Sequence, residues 1–132
     1  MNDDLRRVIL SSKLIIHEGE YVYAVVSSLP KDGKFFMAAC DDDEITVIAE
    51  KGDISRFNVT HKSETLRKLF EIKFSPDSPD AAGFLAGISK ALSEEDISIS
   101  VVSTFSKDYI IVVKEDFEKA SDVLFGLGFI RE

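Results

Sequence analysis

The pattern that most constrains the fold is an alternation of strand and helix signals in the second half of the chain. Apolar residues alternate over residues 69–74, which predicts a strand with one buried face. A helix follows, then two strands, and then a last helix that Asp116 can cap. The helix runs to Leu92, the strands cover 97–103 and 109–113, and the last helix ends near Gly126. This order predicts an α+β fold of the ferredoxin-like βαββαβ type, in which helices cover antiparallel sheets.

The first half of the chain carries a weaker version of the same signals. Helical spacing predicts a short helix over 4–13, capped by Asp3 or Asp4. β-branched and aromatic runs predict strands over 21–26, 35–39 and 45–49. Residues 50–66 form a connection, with a short helix near 62–68.

An internal similarity relates the two halves at an offset of 64. Residues 35–53 can be laid over 99–117, so that Glu44 meets Asp108 and one apolar strand meets another. The similarity predicts two lobes, an N-terminal degenerate one over 1–66 and a C-terminal one over 67–132.

Charge and composition exclude several classes of function. The 132 residues carry a net charge of −8, which disfavours binding to phosphate backbones and to anionic membranes. The N-terminus lacks the basic and apolar regions of a signal peptide, and the chain has one cysteine. We therefore expect a cytoplasmic protein that binds neither nucleic acid nor membrane.

Three other polar features are predicted to be structural. The acidic run over 41–44 lacks the spacing of a calcium loop and indicates a solvated hairpin turn. His17 and His61 have no ligand-spaced partners and are predicted to lie on the surface, while Cys40 is predicted to be a buried thiol at a strand end. No catalytic constellation is visible, so we expect no enzyme, no metal and no cofactor.

The segment over 103–109 places several hydrogen-bonding groups at the turn between two strands. A free amino acid carries a carboxylate, which suits the amide groups at a helix N-terminus near Asp80. Its ammonium group suits Asp108, and Thr104 and the backbone of Phe105 offer further donors and acceptors. The same residue types also build ordinary hairpin turns, so both interpretations stay open.

These residues resemble the ACT domain, a small-molecule-binding regulatory module of amino-acid metabolism. The resemblance rests on Phe74, Asp77, Pro79 and Gly83, on the following helix, and on 95–99. The segment from Ser103 to Ile110 is similar to the Ser-Thr-Tyr/Phe-x-x-Asp-Tyr/Phe-Ile pattern of tandem-ACT proteins related to the cytosolic arginine sensor. Small, mostly uncharacterised prokaryotic tandem-ACT proteins have this layout.

The resemblance implies a non-catalytic sensor that binds a small metabolite, an amino acid, at an interface of ACT lobes, and that forms a homodimer and regulates a protein partner. The alternative is a ligand-free interaction module, in which Phe84, Phe105 or Tyr109 would fill the pocket. A departure from the family pattern favours that alternative, because Asp77-Ser78-Pro79 is separated from Gly83 by three residues. Asp77 either contacts ligand or caps the helix, and Ser78 or Asp80 are other candidate caps. The expected ligand-binding residues are Thr104, Phe105, Asp108, Asp77 and Ser103.

Overall fold

A computed structural model describes residues 2–78 and 81–132 of the chain. The described elements, in chain order, are α1 (Asp3–Ser11), β1 (Lys13–Val26), β2 (Met37–Cys40), β3 (Ile45–Glu50), β4 (Val59–Lys62), β5 (Arg67–Lys73), α2 (Phe84–Ser93), β6 (Ser100–Ser103), β7 (Lys107–Val113), α3 (Phe117–Gly126) and β8 (Ile130–Arg131). Short 3-10 turns cover Ile54–Arg56 and Lys114–Asp116. The predicted fold class is confirmed: the protein is α+β, with antiparallel strand pairs and helices in a ferredoxin-like arrangement.

The chain divides into two compact units that are not consecutive halves. One unit, here the split unit, combines Met1–His17 with Leu69–Glu132. The other, the continuous unit, is Glu18–Lys68. The boundaries of the two units differ from those of the predicted lobes, which are 1–66 and 67–132. The difference arises because the first 17 residues group with the second half of the chain.

The core of the split unit lies between its sheet and its three helices. The strand order in this unit is β1-β5-β7-β6, and β8 pairs with the start of β1. Alternate residues of the strands and one stripe of each helix supply the core, since each element has one apolar face. Its buried members include Leu14, Phe70, Ile72, Ile110 and Val112 from strands and Ile9, Ile88, Leu92, Ala120 and Leu124 from helices. Burying each large side chain contributes about 1.5–3 kcal/mol.

The continuous unit contains four antiparallel strands in the order β4-β1-β3-β2. Residues 24–26 pair with β3 through 45–47 and with β4 through 59–62, so β3 and β4 lie on opposite edges of β1. Strand β2 pairs with the other edge of β3. A second core holds the unit together, formed by Val22, Ala24, Val26, Val47, Ala49, Ile54 and Phe57.

Three element predictions need correction. Strand β1 starts at Lys13 and not at residue 21, and no helix forms near 62–68, where β4 ends and β5 begins. All four residues of β4 are exposed, so apolar alternation could not reveal a strand that forms by pairing with β1. Helix α1 is capped by Asn2, whose Oδ1 accepts from the Leu5 amide at 2.8 Å, and not by Asp3 or Asp4.

The start of α2 also differs from the prediction. The helix begins at Phe84, and its N-cap is Gly83 with φ 85°, a left-handed conformation that glycine adopts without strain. Ser78 is therefore not the cap, while the predicted roles of Pro79 and Asp80 lie outside the described residues.

Two hairpins share one cross-strand register at an offset of 63, and not at the predicted 64. In the hairpin of β2 and β3, Met37 pairs with Ile48 and Cys40 with Ile45. In the hairpin of β6 and β7, Ser100 pairs with Ile111 and Ser103 with Asp108, which shifts each position by 63. Asp108 consequently corresponds to Ile45 and not to Glu44. We call these the acidic hairpin and the Phe105 hairpin, after their loops.

Candidate functional site

The candidate site is an open groove of about 650 Å³ in the split unit. Four parts of the unit form its walls: one face of α1, the loop after β5, the start of α2 and the loop of the Phe105 hairpin. The described lining residues are Val8, Phe74, Ser75, Ser78, Ala81, Gly83, Phe84, Leu85, Ala86, Thr104, Phe105, Ser106, Lys107 and Asp108. The groove has the size of an ordinary small-molecule site.

One wall is the N-terminus of α2. The amides of Phe84, Leu85 and Ala86 belong to the first turn, so they have no acceptor within the helix. The Phe84 amide donates to the Ala81 carbonyl at 3.3 Å. Gly83 has no side chain with which to cap them. This end of the helix also carries the positive end of the helix dipole, which favours a negatively charged group in the groove.

The opposite wall is the loop of the Phe105 hairpin. The Thr104 amide donates to the Lys107 carbonyl at 2.9 Å, and the Thr104 hydroxyl donates weakly to the same oxygen at 3.4 Å. The Ser103 hydroxyl donates to Oδ1 of Asp108 at 2.7 Å. This bond orients the Asp108 carboxylate, which can accept further hydrogen bonds because a carboxylate has two oxygens with several acceptor positions.

Apolar side chains complete the groove. The rings of Phe74 and Phe84 meet edge to face, with their centroids 5.2 Å apart. Leu85, 39% exposed, lies one residue further along α2. Phe105 is 99% exposed, so the structure leaves a whole aromatic ring in water at the rim of the groove.

The structure brings most of the predicted site residues together. Thr104, Phe105 and Asp108 line the groove, and Ser103 contacts it indirectly through Asp108. Asp77 is exposed in the loop after β5 and is not among the described lining residues.

Sequence reasoning missed Val8 and Lys107 as lining residues. Lys107 could have been noticed as the only basic residue of the segment over 103–109. Val8 had no such signal, because only the fold brings α1 to the groove.

A second polar cluster lies elsewhere in the split unit, around Glu71. This carboxylate is 8% exposed, and its Oε1 lies 2.9 Å from Nε2 of His17. Tyr109 contacts His17, with ring centroids 5.9 Å apart. Burial, and then the charge of Glu71 and a hydrogen bond with it, raise the pKa of the Tyr109 phenol above its ordinary value of 10.0. The His17 side chain is 32% exposed, so it lies partly at the surface, as predicted, but it is paired with Glu71.

Other predicted polar features have mixed outcomes. Cys40 is exposed and not buried, because the last residues of β2 face solvent. His61 is exposed, as predicted. Among residues 2–78 and 81–132, no group of three or more His, Cys, Asp or Glu side chains could hold a metal ion. Within the same ranges, no helix is long and apolar enough to cross a membrane.

The family comparison concerns the part of the chain that builds this groove. Residues 70–125 match a protein-family model described as the ACT domain. The chain therefore contains an ACT domain. The match begins in β5 and ends in α3, so it includes both walls formed by α2 and the Phe105 hairpin.

Solved structures share the fold over nearly the whole chain. A protein of unknown function from Vibrio cholerae, described as a possible transport protein, is 20% identical with a TM-score of 0.77, covering 94% of this chain and 95% of that one. A protein from Agrobacterium tumefaciens is 29% identical with a TM-score of 0.68, covering 92% of each chain. The ligand-free regulatory subunit of aspartate kinase from Thermus thermophilus is 7% identical with a TM-score of 0.58, covering 90% and 98%. No curated protein matches the sequence.

Proposed function

We propose that this protein is a non-catalytic regulatory protein that binds an amino acid in the groove of its ACT domain. The observation that carries the proposal is the meeting of three kinds of group in one groove. These are the first-turn amides of α2, the oriented carboxylate of Asp108 and an apolar wall that includes Phe84. A regulatory role is supported by the ACT domain and by the shared fold with an aspartate kinase regulatory subunit.

The chemistry of the groove suits a zwitterion. The carboxylate of an amino acid would accept hydrogen bonds from the amides of Leu85 and Ala86, where the helix dipole favours negative charge. The ammonium group would donate to Asp108, and a hydrogen bond between two charged groups is about twice as strong as a neutral one. Thr104 would hold the ligand between these two ends.

We further propose that the two units are duplicated ACT-like lobes. The continuous unit has the strand order β4-β1-β3-β2, in which the first strand lies between the third and fourth, as in a ferredoxin-like sheet. The equal register of the two hairpins supports a duplication. The pattern from Ser103 to Ile110 is the basis for a relation to the arginine-sensor lobes.

A cytoplasmic homodimer that regulates a protein partner completes the proposal. β6 ends the strand order of the split unit, so pairing through it would bring the Phe105 hairpin and its groove to an interface between ACT lobes. Light scattering coupled to size-exclusion chromatography tests the dimer, and a monomer at micromolar concentration would contradict it.

A thermal-shift screen of the twenty amino acids at millimolar concentration tests the function. A ligand at about a hundred times its Kd stabilises the folded state by about 2.7 kcal/mol, which is a shift of several degrees. Asp108→Asn should abolish the shift, while Asp42→Asn, on the loop of the acidic hairpin, should preserve it. The absence of a shift with all twenty amino acids would refute the proposal.

The ligand-free interaction module remains the second candidate because Phe105 is 99% exposed, and exposed aromatic residues often anchor protein partners. The interaction-module candidate predicts that Phe84, Phe105 or Tyr109 fills the pocket. Phe105 points into solvent, Tyr109 contacts His17, and the groove is open, which supports the ligand-binding candidate.

A further inference from the structure

We propose that the groove selects neutral amino acids with apolar side chains and that Phe105 is the residue that sets this selectivity. The inference rests on the proposed function and names the class of ligand for the same groove. It separates this protein from a sensor of a basic amino acid such as arginine.

The charges that line the groove support a neutral ligand. Among the lining residues that the structure describes, Asp108 and Lys107 are the ones that carry charge. The ammonium group of a zwitterionic ligand would pair with the Asp108 carboxylate. The carboxylate of the ligand would accept hydrogen bonds from the α2 amides and from Lys107. Among these described lining residues, a basic side chain would then find no second carboxylate, and an acidic one would have to share the same cation. Leaving a charge without a partner in a partly desolvated site is unfavourable.

The apolar lining supports a hydrophobic side chain. The rings of Phe74 and Phe84 pack against each other, and Leu85 and Phe105 also line the groove. Each methylene group that a ligand buries raises its affinity about fourfold. Leucine has three more carbon atoms than alanine, so full burial predicts an advantage of tens of fold.

The exposure of Phe105 indicates that its ring serves to contact another molecule and not to stabilise the fold. A 99% exposed ring makes almost no packing contacts that stabilise the protein. The corresponding residue of the acidic hairpin, 63 positions earlier, is Asp42, and both loops close with the same backbone hydrogen bond. The turn thus forms without an aromatic residue. An apolar ligand side chain between Phe105 and Leu85 would remove the ring from water.

Isothermal titration calorimetry with leucine, isoleucine, methionine, phenylalanine, alanine, glycine, arginine and aspartate tests the inference. We expect the four large apolar amino acids to bind at least tenfold more tightly than alanine, and arginine and aspartate to bind more weakly than alanine. Phe105→Ser should reduce the ratio of leucine to alanine affinity by at least fivefold. The matched variant Asp42→Ser should leave that ratio unchanged.

The outcomes separate the two proposals. Tighter binding of arginine or aspartate than of leucine would overturn the selectivity and preserve the amino-acid-binding function. An unchanged ratio in Phe105→Ser, with a fold verified by circular dichroism, would overturn the role of Phe105. Failure of all eight amino acids to bind, together with a silent screen of the other twelve, would refute the proposed function itself.

Discussion

The acidic hairpin and the Phe105 hairpin share one cross-strand register and one way of closing the loop, but their loops carry different side chains. Their strand pairs match at an offset of 63, and the second strand buries three consecutive residues in the acidic hairpin and four in the Phe105 hairpin. Both loops close with a hydrogen bond from the first loop amide to the last loop carbonyl, 3.1 Å from Asp41 to Glu44 and 2.9 Å from Thr104 to Lys107.

The difference between the hairpins lies in what their loops do with polar groups. In the acidic hairpin, Oδ1 of Asp41 accepts from the amides of Asp43 and Glu44 at 2.8 and 2.9 Å, so the carboxylate is used within the turn. In the Phe105 hairpin, the carboxylate belongs to Asp108, which lies in β7 and not in the loop. The loop carries the Thr104 hydroxyl and the Phe105 ring. One hairpin scaffold can therefore hold a self-contained turn or a wall of the groove.

The strongest test of the shared scaffold removes one matched core residue from each hairpin. Ile48 and Ile111 occupy equivalent positions and are 0% and 1% exposed. Ile48→Ala and Ile111→Ala should each lower the free energy of unfolding by about 2–5 kcal/mol, since each leaves a cavity. Urea denaturation measures this loss, and a loss below about 1 kcal/mol at either position would break the equivalence.

Exchanging the loops tests whether chemistry, and not backbone, distinguishes the hairpins. The triple variant Thr104→Asp, Phe105→Asp, Ser106→Asp gives the Phe105 hairpin the first three loop residues of the acidic one. We expect the unfolding free energy to change by less than about 1 kcal/mol, because exposed turn residues contribute little. The amino-acid thermal shift, about 2.7 kcal/mol at a hundred times Kd, should vanish. A large loss of stability would show that the loops are not interchangeable.

Tyr109, the residue after Asp108, should make the stability of the fold depend on pH in alkaline solution. Tyr109 occupies the position of Thr46, and burial and Glu71 raise the pKa of its phenol. A raised pKa means that the neutral phenol stabilises the fold, fully below pH 10 and progressively less as the pH rises through the folded pKa. Tyr109→Phe should flatten the fall in stability above pH 10, and Thr46→Val serves as the control. Equal slopes in wild type and Tyr109→Phe would contradict the assignment.

The smallest effect concerns acid. Hydrogen bonds from the amides of Asp43 and then Glu44 lower the pKa of Asp41 below its ordinary value of 3.8. Ionised Asp41 therefore stabilises its loop above that value, and the contribution disappears as the pH falls through the lowered pKa. Amide hydrogen exchange of Asp43 and Glu44 should be more protected at pH 5 than in Asp41→Ala. Similar protection in the variant would show that the backbone bond alone holds the turn.

The sequence predicted the elements whose cores are made locally. Alternation in β5 and the apolar run of β7 are visible because one face of each strand packs beneath helices. The first eight residues of β1 and the whole of β4 were missed because tertiary pairing forms them, and β4 buries none of its side chains. The predicted offset of 64 is one residue longer than the offset between the two hairpin registers, because strand chemistry alone does not define cross-strand register.

The site was predictable only along one stretch of chain. Thr104, Phe105 and Asp108 are close in sequence, so their meeting follows from the turn. The contribution of Val8 depends on where α1 packs, and that position follows from contacts across the length of the chain. The predicted start of α2 was wrong because the N-cap position is occupied by Gly83. This residue has a left-handed backbone conformation and no capping side chain that the sequence could reveal.

The discontinuity of the split unit affects how the protein can form and how it can be dissected. Residues 18–68 must be synthesised before Leu14 and Ile9 can meet the core that buries them, so this unit folds through contacts of long sequence separation. A fragment starting at residue 67 would lose α1 and the strand beside β5. Its exposed strand edge would then be a template for aggregation. Joining residues 1–17 to such a fragment by a short linker would restore α1 and the first five residues of β1 without the intervening unit.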